Sequence, residues 1–267
     1  MMTEIITEES IGKYIKILKN EEIFGILDGR ITGLGACDDE SGQPEGVLVA
    51  EIHMEYILLR RIYVLPDCQD EDLISRLMDI VTDLPEDLKA PIYYYGTDEE
   101  TDATVLAQYG FKEIPNGYSC IEGFLEDYKE IKAPPKLFEV GTLDQVPKDS
   151  VQNFVLSSTH DRFMQIPDGY LDISRFSDAS LVCYKRNIVV GVILMEETDD
   201  MIRIPYMYTK DNMALLYSLY VLRKVLFADY APKAKLCFVM RDGIGREAIH
   251  ALIRPSEEKK IRVFRHE

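Results

Sequence analysis

The sequence predicts a mixed α/β chain built as two tandem copies of one small fold. Three observations lead there. The apolar patterns of the first half run strand-helix-strand-strand-strand-helix-strand-helix-strand-strand, and the second half repeats that order as elements rather than as residues. A Pro-Pro break, Ala133-Pro134-Pro135, falls at the midpoint of the 267 residues, where a helix cannot continue and a central strand sits poorly. The charge balance also changes there. Residues 1–135 hold 29 Asp+Glu and 11 Lys+Arg, a net of −18, whereas residues 136–267 hold 18 and 19, a net of +1. The expected domains are therefore 1–132 and 136–267, each of ordinary size.

The elements follow in order. EIIT is a short strand. SIGKYIKILKNEEIFGIL carries Ile11, Tyr14, Ile15 and Leu18 at helical spacing, with Ser10 as a candidate cap. ITGLGACDDESGQPEGVLVAEI reads as a hairpin around a Gly/Pro/Asp turn. YILLRRIYVL is apolar enough to be a central strand. DLISRLMDIVTDL puts Leu73, Leu77, Ile80, Val81 and Leu84 on one helical face. PIYYYGT is a β-prone strand, DATVLAQYGF a short helix ended at Gly110, and FKEI and YSCIEGFL close the half. The second half runs LFEVGTL (strand), PKDSVQNFVLSST (helix), GYLDISRF (helix), ASLVCYKRNIVVGVILMEE (hairpin turning at Lys185 to Asn187) and MIRIPYMYT (strand). It then reads NMALLYSLYVLRKVLFADY (long helix), AKLCFVM (strand), GREAIHALI (short helix) and KKIRVFRHE (strand).

Composition narrows the function classes. Hydrophobic residues make up 46% and charged residues 29%, which is ordinary for a globular protein. No apolar run reaches the roughly 18 residues a membrane helix needs, so no membrane partner is expected. MMTEIITEES lacks the basic region and apolar core of a secretory signal, and the expected location is the cytoplasm. Five dispersed cysteines without a C-x-x-C pair, and four scattered histidines, argue against a disulfide framework and against a zinc site. The cysteines read as thiols without chemistry. A net charge of −17 makes nucleic acid a poor partner, because phosphate neutralisation dominates that binding. The acidic half suits cations or amines, or simply solubility. Oligomeric state is not legible.

The stretch Val64-Leu65-Pro66-Asp67-Cys68-Gln69-Asp70-Glu71-Asp72-Leu73-Ile74-Ser75-Arg76-Leu77-Met78 joins a strand to a helix. With the element order and Tyr109-Gly110-Phe111, it resembles the GNAT superfamily of N-acetyltransferases, whose segment reads V-x-P-E-Y-R-G-K-G-I-G-R-A-L-L. The match needs no gap, and the resemblance covers each half nearly end to end. It implies two tandem acyl-CoA N-acyltransferase folds. The implied cofactor is acetyl-coenzyme A, whose pyrophosphate rests on backbone N–H groups at the helix start, and the implied partner is a small-molecule amine. The alternative is an inactive GNAT-like scaffold or binding module.

The first half departs from that pattern. Asp72 and Ile74 fill the two small-residue slots, and Asp70, Glu71 and Asp72 stand where a dianion docks. Carboxylates there favour the helix and repel the anion. The second half is less acidic. Setting Tyr206 at the Val64 position puts Met207, Asn212, Met213, Ala214 and Leu215 beside the cofactor, with Ala214 in the first glycine slot. Asp242-Gly243-Ile244-Gly245-Arg246 reads as a phosphate nest or, more simply, a turn opening a helix. The tyrosine that protonates the departing thiolate in such enzymes is replaced by Leu106 and Leu252. Tyr206 and Tyr208, on the second half's central strand, are the catalytic candidates, or else packed aromatics. Glu51 and Glu55 are candidate bases in an acidic half. No chemistry attaches to Tyr93-Tyr94-Tyr95.

Overall fold

The computed structural model describes residues 2–53, 56–68, 71–88, 90–97, 103–158, 173, 176–198, 201–241 and 243–266. Most of the helix expected at GYLDISRF, all but Ile173 and Phe176, and the residues Glu55, Gln69, Asp70 and Asp242, lie outside the described residues. So do the side chains of Glu71, Asp72 and Leu84. The chain divides into two compact units, Met1–Asn116 with Arg262–Glu267, and Gly117–Ile261. Ala133-Pro134-Pro135 lies inside the second of these.

The first unit contains β1 (Met2–Ile6), α1 (Ile11–Tyr14), α2 (Asn20–Leu27), β2 (Thr32–Cys37), β3 (Pro44–Ile52), β4 (Ile57–Val64), α3 (Glu71–Leu88), β5 (Ile92–Thr97), α4 (Ala103–Gln108) and β6 (Lys112–Ile114). Strands β1 to β5 are neighbours in chain order, antiparallel up to β4, and β4 runs parallel to β5. The β3–β4 hairpin sits centrally, as its apolar content predicts. One sheet face is covered by α3 and α4. There Leu73, Leu77, Met78, Val81 and Leu106 pack on Leu34, Leu48, Ala50, Ile57, Leu59 and Ile92. The other face carries Tyr14, Ile17, Leu18, Val47 and Val49. The single helix expected over residues 10–27 is two short helices. Ile15 stays 60% exposed between them, and Ser10 makes no side-chain cap bond to α1.

Two features pin α1 and α2 to the sheet. The Tyr14 ring fits where a Cβ on Gly35 would stand, 2.1 Å from Cζ, so only glycine is tolerated there. Its hydroxyl lies 3.0 Å from Glu4 Oε1 and 2.8 Å from Cys37 Sγ. Burial, then these two contacts, hold its pKa well above the usual phenol range. Arg61 on β4 reaches back to α2, donating from Nε to Glu22 Oε1 at 2.7 Å and from Nη2 to Ile17 O at 2.9 Å and Glu22 Oε2 at 2.5 Å. Fork geometry of this kind is the strong form of an ion pair.

The second unit contains β7 (Tyr118–Phe124), β8 (Glu139–Thr142), α5 (Lys148–Ser157), β9 (Leu181–Lys185), β10 (Ile188–Glu197), β11 (Met201–Thr209), α6 (Asn212–Asp229), β12 (Lys235–Arg241), α7 (Ile244–Leu252) and β13 (Glu257–His266). The β9–β10 hairpin turns where expected, on Arg186 and Asn187 at φ 53° and 64°, the type I′ geometry that matches strand twist. The strand order is β7-β12-β11-β10-β9-β8. Leu215, Leu219, Leu222 and Leu226 of α6, with Ile249 of α7, pack on one sheet face. Val151, Phe154 and Val155 of α5 pack on the other.

β7 is the last strand of the first half in sequence, yet it pairs with β12 over seven rungs, Lys235↔Phe124 to Arg241↔Tyr118. β13 is divided. Glu257–Lys260 pairs with β7, whereas Val263–Arg265 pairs with β6 and Phe264 enters the first unit's core. A fragment 136–267 therefore lacks β7. Cys120 and Cys237 form a disulfide between β7 and β12, which corrects the reading of all five cysteines as plain thiols. The geometry brings together residues 117 apart in sequence, which spacing alone does not reveal. Burial raises the pKa of Cys183 and of Cys68, with neighbouring carboxylates adding to the latter, so neither is an activated nucleophile.

Two predictions follow from the packing. Phe264→Ala removes a 2% exposed ring and is expected to cost about 3–5 kcal/mol, read by urea denaturation of the full chain. Glu22→Ala leaves Arg61 without its carboxylate. The expected cost is on the order of 3 kcal/mol, the low end for a broken buried pair, because the Arg61 side chain is 19% exposed.

Candidate functional site

In both units the central strand carries a one-residue bulge. Along β3–β4 the rungs pass from Ala50↔Leu59 to Val49↔Arg61, leaving Arg60 as the extra residue. Along β10–β11 they pass from Glu196↔Arg203 to Leu194↔Tyr206, with Ile204 and Pro205 between. Proline has no N–H to give a ladder, and a bulge bends its strand and sharpens the local twist.

The parallel neighbour is lost at the same point. β4 meets β5 over Ile57–Leu59 and Ile92–Tyr94 only, although the strands run on to Val64 and Thr97. β11 meets β12 over Met201–Ile204 and Lys235–Phe238, then runs on to Thr209 while β12 reaches Arg241. Each unit thus holds a V between two diverging parallel strands. Such a V offers main-chain donors and acceptors to an extended, amide-bearing ligand laid in as an extra strand.

The strand register also fixes the correspondence between the units. Arg61 and Tyr206 each stand on the first rung past the bulge, and Val64 and Thr209 each end the strand. Thr209, and not Tyr206, therefore corresponds to Val64. The connection to the following helix spans residues 65–70 in the first unit but only Lys210 and Asp211 in the second. Sequence reasoning missed this because the shortened loop and the bulge leave no mark in the residue pattern.

Tyr206 and Tyr208 share the sheet face covered by α5. Tyr206 is 4% exposed, and its hydroxyl lies 2.7 Å from Ser158 Oγ, which also donates to Val155 O at 2.6 Å. Tyr208 is half-buried, its ring 5.8 Å from that of Phe154. Met207 lies on the opposite face, against the α6 and α7 core. Asn212 and Met213 are exposed, while Ala214 and Leu215 are buried. The last four form the first turn of α6 rather than a loop. Asp211 caps that turn, its carboxylate accepting from Ala214 N–H at 2.7 Å.

These residues fit part of acetyl-coenzyme A. The V in either unit fits the extended pantetheine arm. The start of α6 does not fit the pyrophosphate: the connection is two residues long, it contains no glycine, and Asp211 already occupies the Ala214 N–H. The corresponding anion position in the first unit involves residues 69–72, whose side chains lie outside the described residues. Gly243, before α7, has φ 137°, a conformation that glycine adopts readily.

Glu51, one of the two candidate bases, is 7% exposed and is held between two side chains. Arg60 Nε donates to its Oε1 at 2.5 Å, and His53 Nε2 lies 3.1 Å from its Oε2. It is therefore a bound carboxylate.

No family model matches the sequence, and no curated protein matches it. Solved structures do. A tandem GNAT protein from the clavulanic acid biosynthesis pathway shares 12% identity at a TM-score of 0.70, over 100% of this chain and 98% of that one. A conserved protein of Enterococcus faecalis V583, described as a probable N-acyltransferase, shares 12% identity at 0.59, over 99% of this chain and 72% of that one. A GCN5-related glucosamine N-acetyltransferase region in a fungal multi-domain GH3 β-N-acetylglucosaminidase shares 12% identity at 0.62, over 99% of this chain and 38% of that one. At these identities the likeness speaks for the architecture, and the chain has the fold of the tandem GCN5-related N-acetyltransferases.

Proposed function

We propose that the protein is an N-acetyltransferase that moves an acetyl group from acetyl-coenzyme A to a small amine. The observation that supports this most is the bulge that ends the parallel pairing in each unit and leaves a V for an extended thioester arm. Bound there, the donor supplies an activated acyl group, and the chain's own part is to hold and orient the reactants. In the second unit the neighbouring residues are Met207 and the first turn of α6, Asn212, Met213, Ala214 and Leu215. Tyr206 and Tyr208 are the hydroxyl groups on the face of α5. The net charge of the first unit, with 26 Asp+Glu against 11 Lys+Arg over residues 1–116 and 262–267, favours a cationic acceptor.

A second reading, a non-catalytic binding module, is favoured by Asp211. Its carboxylate supplies internally the hydrogen-bond acceptor that a phosphate would bring.

Calorimetry of acetyl-coenzyme A on the full chain separates the two. Saturable binding together with turnover of an amine is expected for the enzyme; no binding at millimolar ligand sinks that reading. Asp211→Ala gives a sharper contrast. Loss of the cap is expected to cost about 1 kcal/mol of stability. The same change frees the Ala214 N–H and removes a negative charge, so acetyl-coenzyme A should bind more tightly than to the parent. Equal or weaker binding would place the donor away from α6.

A further inference from the structure

On the sheet face of the first unit that carries Val47 and Val49, the core gives way to a polar and aromatic group that the proposed reaction has not used. Glu51 follows two residues after Val49. Its carboxylate receives Arg60, which the β4 bulge turns onto that face beside Arg61. Its other oxygen receives His53 Nε2 at 3.1 Å. A carboxylate only accepts, so Nε2 carries hydrogen, and in the neutral ring Nδ1 is left as the acceptor. Nδ1 has no hydrogen-bond partner among the described residues, and the His53 side chain is 32% exposed against 9% for Glu51. The imidazole stacks on Tyr56, with centroids 4.4 Å apart. Tyr56 meets Tyr93 edge-on at 6.5 Å, and Tyr93 lies parallel to Tyr95 at 6.4 Å. Arg265 covers Tyr93 at 5.8 Å.

We infer that His53, held by Glu51 beside Tyr56, Tyr93 and Tyr95, forms a site for a primary ammonium ligand and takes a proton from it. A buried carboxylate that fixes one imidazole nitrogen presents the other to solvent in a set direction. Tyr56 and Tyr93 are buried, with His53 stacked on the first and Arg265 over the second, so they fix the imidazole from behind, and the half-buried Tyr95 adds stacking attraction for an aromatic amine. A unit with a net charge of −15 over residues 1–116 and 262–267 concentrates cations near it. In the proton step an N–H bond of R–NH3+ breaks and an Nδ1–H bond forms. The products are the neutral amine and the imidazolium, which returns its proton to water. This inference rests on the acceptor reading proposed above and names its amine end. Glu51 acts as a positioning residue, because it reaches the ligand only through His53.

The test uses the full chain with 15N-labelled histidine and no acetyl-coenzyme A. Tyramine is the probe, and 4-ethylphenol, which lacks the ammonium, is its control. The expected result has three parts. The His53 nitrogens report the Nε2–H form, they shift saturably with tyramine and not with 4-ethylphenol, and Glu51→Gln changes the tautomer ratio while weakening tyramine binding by about tenfold. His53→Gln, which leaves the Glu51–Arg60 pair in place, should abolish binding without altering the thermal midpoint. No saturable shift, an equal shift with 4-ethylphenol, or a tautomer ratio indifferent to Glu51→Gln overturns the inference. Tyramine binding without turnover of acetyl-coenzyme A would sink the transferase reading and leave this site standing.

Discussion

The extra residue in the middle of each central strand is the constraint on which the rest depends. A regular parallel pair would run β4 along β5, and β11 along β12, to their ends and close the sheet. With Arg60 or Pro205 inserted, the central strand bends and its parallel neighbour is lost within a residue. The gap is therefore built into the backbone rather than carved by side chains. In the first unit the bulge has a second effect. It places Arg60 and Arg61 on one face, so two consecutive residues tie two carboxylates, Glu51 and Glu22, that lie 29 apart in sequence. One backbone irregularity thus supplies both a cleft and an electrostatic anchor for α2.

The two units have elaborated the same frame differently. In the second unit the connection after the central strand is only Lys210 and Asp211, and the helix start is capped by its own carboxylate. The first has a longer connection, and it holds titratable and aromatic groups near the closed end of its V. The shared architecture is recognisable because the cores, Leu73-Leu77-Met78-Val81 and Leu215-Leu219-Leu222-Leu226, need only apolar volume at helical spacing. Polar positions answer to no such rule, and there the units part.

Much of the architecture was legible in the sequence because it is periodic. The strands and long helices appear where alternation and helical spacing place them, and Lys185 to Asn187 turns as its residues predict. What was not legible is non-local. Nothing in YSCIEGFL indicates that the strand joins β12, nor that KKIRVFRHE divides between two sheets, and the Cys120–Cys237 bond follows from the first of these. The site suffered from the same limit. Placing Tyr206 at the Val64 position puts it three positions away from its counterpart, because a gapless alignment cannot absorb a loop four residues shorter. Glu51 read as one carboxylate among many, and Tyr93-Tyr94-Tyr95 as strand filler, since only the sheet register puts Tyr93 and Tyr95 on the face of His53 and Tyr94 on the other.

The division of β13 has a consequence for how the chain is made. Synthesis runs from the amino end, and domains ordinarily fold as they emerge. Here the first unit waits for Val263, Phe264 and Arg265, which are translated only after every residue of the second. For most of its time on the ribosome it is a sheet without its last strand. Of the two units, the one whose translation starts earlier is completed later, and a chain stopped short of Arg262 would leave it incomplete.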